Sequence, residues 1–109
     1  MDNNDDPLLI LSTCPDAESA STIAHALVEE RLAGCVSRLP GVASVYRWHD
    51  ALQENGEVLL LIKTRRECFE ALRARLVELH PYDVPEVIAL AIASGHAPYL
   101  EWLRDQTHS

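Results

Sequence analysis

Glu57-Val58-Leu59-Leu60-Leu61-Ile62-Lys63 decides the fold of this chain. Its apolar residues fall on both sides of a period of two, so it reads as a strand whose two faces both need cover. In a chain of 109 residues, a helix layer can supply one cover and a partner subunit the other. Immediately upstream, Val42, Ser44, Tyr46 and Trp48 alternate with Ala43, Val45, Arg47 and His49, the pattern of a half-buried strand with aromatics at its far end. A polar connection over residues 50–56 joins the two into a long hairpin. Residues 35–39 form a short strand, and Pro40-Gly41 marks a turn or bulge after it. A long hairpin with an apolar second face invites aggregation unless it is paired, which favours a specific oligomer.

Working outward, a helical period flanks the hairpin on each side. Ala20, Ile23, Ala24, Leu27, Val28 and Leu32 lie on one face of a helix that Asp16 caps and Gly34 ends as a C′ residue. Downstream, Thr64-Arg65-Arg66-Glu67 matches a capping box, followed by Phe69, Leu72, Leu76 and Leu79 at helical spacing. Residues 8–13 read as a buried strand. Residues 87–93 alternate large and small, with Ile88, Leu90 and Ile92 on one face. Pro98 starts a last short helix over residues 99–104, with Tyr99, Trp102 and Leu103 packing inward. The order predicts an α+β, ferredoxin-like βαββαβ domain, an antiparallel sheet with helices on one face, plus a short C-terminal helix. Residues 1–7 read as a flexible N-terminal tail and residues 8–109 as one domain.

The formal net charge of −8 excludes the basic face a nucleic-acid binder needs. No apolar run approaches the length of a membrane span. Cys14, Cys35 and Cys68 make an odd count without CxxC spacing, which suits a reducing compartment and a cytoplasmic location. No nucleophile–base motif, phosphate loop or zinc-protease signature is present, so no enzyme is predicted.

One junction concentrates chemistry. His80-Pro81-Tyr82-Asp83-Val84-Pro85-Glu86 places an imidazole, a phenol and two carboxylates between two prolines, on a loop whose shape is largely predetermined. His80, Asp83 and Glu86, with Cys14, could offer imidazole, carboxylate and thiolate to one ion. The bland alternatives are a hydrogen-bonded histidine that fixes the junction and a small buried cysteine. Lys63, Arg65 and Arg66 form the only basic run, which could hold an anion or simply start a helix in solvent.

Ser12-Thr13-Cys14-Pro15-Asp16, Leu32-Ala33-Gly34-Cys35-Val36 and the run from Pro40 to Trp48 carry a family resemblance. Glu57-Val58 with Ile62-Lys63-Thr64, the 80–86 junction and Tyr99-Leu100-Glu101-Trp102-Leu103 complete it. Together they make the chain similar to the CutA family of divalent-cation tolerance proteins, from Leu9 to Leu103. The resemblance implies a homotrimer of ferredoxin-like subunits that acts in the response to metal ions and binds copper or another divalent ion. Tyr46, Trp48 and Trp102 are then expected at the trimer interface. The family places a cysteine where this chain has Ser12 and a second histidine where it has Leu79, so His80 alone carries over at the junction. A second expectation is a trimeric module, similar in plan to PII regulators, that binds a small anion or a protein partner in intersubunit clefts through Lys63, Arg65 and Arg66.

Overall fold

A computed structural model describes residues 4–108. In chain order the elements are β1 (Pro7–Cys14), α1 (Ala17–Glu29), β2 (Cys35–Trp48), β3 (Ala51–Arg65), a 3₁₀ turn (Arg66–Cys68), α2 (Phe69–Leu79), β4 (Ile88–Ala91) and α3 (Ala97–Gln106). The strands form one sheet in the order β2-β3-β1-β4, antiparallel throughout. This is the α+β arrangement expected from the sequence.

Strand alternation sorts the core. Leu8, Ile10, Ser12 and Cys14 of β1 face the same side as Val58, Leu60, Ile62 and Thr64 of β3, and all are buried. Ile23 and Leu27 of α1, with Leu72 and Leu76 of α2, close over them. The opposite face carries Leu9, Leu11, Leu59 and Leu61, with Leu39, Ile88 and Leu90 exposed beside them. The two-sided apolar strand read from residues 57–63 is therefore present. Helix α3 reaches only the end of this second face, where Arg65 donates to Thr107 O at 2.7 Å and to Thr107 Oγ1 at 3.0 Å.

Several local expectations are corrected. The 50–56 connection is not a loop. Strand β3 begins at Ala51, and Trp48 pairs directly with Ala51 across a two-residue turn. His49 (φ 50°) and Asp50 (φ 62°) both occupy the left-handed region, as a turn matching the twist of a hairpin requires. Backbone pairing carries this polar segment, which is why its side chains gave no strand pattern. The Pro40-Gly41 irregularity is a bulge within one long β2, with Gly41 at φ 81°.

Helix α1 ends earlier than its apolar stripe suggested. Arg31 (φ 61°), not Gly34, is the left-handed C′ residue, and Leu32 N–H reaches Leu27 O at 3.0 Å in a Schellman closure. Gly34 has another role: a Cβ there would lie 2.6 Å from Leu103 Cδ1, so its missing side chain lets α3 pack. Thr64 caps no helix. It remains in β3 and donates from Oγ1 to Leu32 O at 2.7 Å, while Glu67 accepts from Arg65.

Strand β4 stops at Ala91 instead of continuing to residue 93, because Pro7 can accept from Ile92 N–H at 3.3 Å but has no N–H to return. On α3, Leu103 is buried, whereas Tyr99 and Trp102 are exposed and lie against each other. Of the expected flexible tail, residues 1–3 lie outside the described residues. From Asn4 onward the segment is attached: Asn4 and Asp6 carbonyls accept from Glu67 and Arg66 N–H at 2.9 Å, and Asp5 pairs with Arg65 at 2.9 Å. No helix among the described residues is long and apolar enough to cross a membrane.

Candidate functional site

The two prolines end α2 and turn the chain back along β1. At that junction His80 is buried, with both ring nitrogens engaged. Nδ1 accepts from Tyr82 N–H at 3.1 Å, which leaves Nε2 to donate to Thr13 O at 2.8 Å. Its ring also lies against Tyr82, with centroids 4.8 Å apart. The imidazole thus straps the junction to β1 and uses the lone pair an ion would need.

Tyr82 extends the strap to the hairpin. Its hydroxyl donates to Glu57 Oε2 at 2.8 Å, so a carboxylate at the start of the apolar run of β3 is held under the junction. Burial, then the neighbouring Glu57 carboxylate, pushes the Tyr82 phenol well above its ordinary range. It therefore stays protonated and keeps donating.

Between the junction and the hairpin lies a cleft of about 710 Å³. Tyr46, Trp48 and Tyr82 line it with rings, and Glu57, Asp83 and Glu86 with carboxylates. Among the described residues, no lysine or arginine is in its wall. Its charge makes it a receiver of cations.

The residues singled out in the sequence are distributed as follows. Asp83 and Glu86 reach the cleft. Cys14 does not: it is fully buried in the core, and burial pushes its thiol up to about 11. Among the described residues, no three His, Cys, Asp or Glu side chains come together in a group that could hold a metal ion. The basic run is also dispersed. Lys63 Nζ donates to Ser37 Oγ at 2.6 Å, Arg65 is bound to Asp5, Glu67 and Thr107, and Arg66 lies 3.7 Å from Asp6. Tyr46, Trp48 and Trp102 are exposed in the single chain. In sequence, Glu57 is read at the head of the apolar strand and not among the candidate site residues. Its one signal is a carboxylate opening an otherwise apolar strand.

Residues 8–106 match the family described as CutA1 divalent ion tolerance protein. The chain belongs to the CutA1 family. A relative from Thermus thermophilus, the divalent-cation tolerance protein CutA, is 52% identical over 99 residues, spanning 91% of this chain and 96% of that protein. The human Protein CutA is 45% identical over 97 residues, and the chain spans 54% of its length. The solved structure of the Thermus thermophilus protein superposes with a TM-score of 0.92 at 51% identity, covering 94% of this chain and 99% of that one. The CutA1 fold is therefore shared through the sheet, the hairpin and the junction alike.

Proposed function

We propose that this CutA1-family chain is a homotrimeric protein of the response to divalent metal ions, and that the junction cleft draws in a hydrated ion through the negative field of Asp83, Glu86 and Glu57. The observation that carries the reading is the cleft's charge, with three acidic residues and, among the described residues, no lysine or arginine in its wall. Oxygen donors suit a hard divalent ion that keeps part of its water shell. They suit copper held by thiolate and imidazole less well, because Cys14 is enclosed in the core and His80 already has two partners. His80 is in this reading a positioning residue that sets the junction.

The trimer rests on separate support. The sheet face bearing Leu9, Leu11, Leu59 and Leu61, with Leu39, Ile88 and Leu90 exposed, is an apolar surface that one chain leaves largely uncovered. Tyr46, Trp48 and Trp102 stand at subunit boundaries, which makes the cleft an intersubunit one. A reducing, cytoplasmic setting suits three free thiols. The anion-binding alternative has weaker support, since Lys63, Arg65 and Arg66 each have partners within the chain.

The test combines light scattering on the eluted protein with calorimetric titration by Mn(II), Zn(II) and Cu(II). Three chain masses and saturable binding, lost in an Asp83→Asn/Glu86→Gln variant, are expected. Binding that is unaltered in that variant would remove the cleft as the site.

A further inference from the structure

We propose that the junction cleft takes an aliphatic di- or polyammonium compound. The inference rests on the reading above that this cleft receives cations, and it names a class of cation that the wall chemistry fits better than a bare ion.

The cleft, at about 710 Å³, has the size of a small-molecule site. Half of its recognition chemistry is aromatic: Tyr46, Trp48 and Tyr82 present rings, and Trp48 is 48% exposed. Ring faces attract ammonium groups and cover methylenes, whereas a hydrated metal ion has no use for them. Val45 and Val84 add apolar wall, and Val84 is 71% exposed.

The carboxylates are arranged accordingly. Glu57 comes from β3, and Asp83 and Glu86 stand on either side of Pro85. They do not converge into a group that could chelate one ion. Negative charges that form no single chelating group, on a wall that also carries rings and methyl groups, match positive charges joined by methylenes.

Glu57 gives independent support. The residue is only 8% exposed, and Oε2 is occupied by the Tyr82 hydroxyl at 2.8 Å. Oε1 has no hydrogen-bond partner among the described residues. That oxygen is open to the cleft instead of buried, and so is available to a donor that enters it. An ammonium group supplies three.

The experiment is calorimetric titration of the full chain in its native assembly with spermidine, putrescine and Mn(II) at about 0.15 M ionic strength. It is repeated with Glu57→Gln and Trp48→Leu, each first checked for unchanged elution and melting. Saturable spermidine binding is expected, at least tenfold weaker in Glu57→Gln and at least fivefold weaker in Trp48→Leu, with Mn(II) binding unaffected by Trp48→Leu. Absence of saturable spermidine binding, or binding indifferent to both substitutions, overturns the inference. If Mn(II) binds while spermidine does not, the inference falls and the metal-ion reading stands. If spermidine binds as expected and Mn(II) does not, the metal-ion reading falls and the inference stands.

Discussion

The imidazole Nε2 of His80 donates to the carbonyl oxygen of Thr13 at 2.8 Å, joining the end of α2 to β1 across 67 positions of sequence. Through the Tyr82 N–H to Nδ1, the same ring sets the loop that carries Asp83 and Glu86. A polar side chain buried this way defines a shape more than it offers a reactive group. Losing it leaves a buried acceptor and an amide without their partner.

His80→Ala should therefore destabilise the fold by about 1–3 kcal/mol, measured by urea unfolding. His80→Gln, whose amide can still donate to Thr13 O, should recover a substantial part of that loss. Equal stability of the two variants would show that the Thr13 bond contributes little.

Cys14 makes stability depend on pH in the alkaline range. Its thiol titrates near 9.0 ordinarily and is pushed up to about 11 in the fold by burial. Between those values the unfolded chain has lost the proton and the folded chain retains it, so unfolding releases a proton and stability falls as pH rises. The contribution is complete below pH 9.0 and disappears through about 11. The slope from one such group is at most about 1.4 kcal/mol per pH unit. Unfolding midpoints at several pH values across that window should decline less steeply for Cys14→Ala than for the parent chain. Parallel declines would refute a role for this thiol.

Gly34→Ala should cost about 1–3 kcal/mol by overpacking, because the new Cβ meets Leu103 Cδ1 at 2.6 Å. The strain falls on α3, so amide exchange in Ala97–Gln106 should accelerate more than in α1. Uniform acceleration across both helices would instead point to a global loss.

The hairpin turn offers a change in the opposite direction. His49 and Asp50 hold positive φ without being glycine. Replacing them with Asn and Gly should stabilise the chain by about 0.5–1 kcal/mol, read as a higher thermal midpoint. A lower midpoint would mean that the Trp48–His49 ring contact, with centroids 5.1 Å apart, outweighs the backbone strain.

Periodicity alone was sufficient for the helices, the buried strands and the βαββαβ order, because burial on one face leaves a repeat of 3.6 or 2 in the side chains. The proline-bounded junction was legible for a similar reason, since proline sets φ whatever surrounds it. Side-chain pattern carried no information where the backbone did the pairing, so residues 51–56 looked like a loop and became strand. It also failed where contacts are remote. Thr64 resembled a helix cap but bonds Leu32, Gly34 resembled a helix end but accommodates Leu103, and Glu57 resembled a strand border but receives the Tyr82 hydroxyl. Tertiary structure alone decided that His80 faces Thr13 and that Cys14 turns into the core instead of into the wall of the cleft. Those outcomes depend on which atoms long loop closures bring within 3 Å of each other, a quantity that local sequence does not encode.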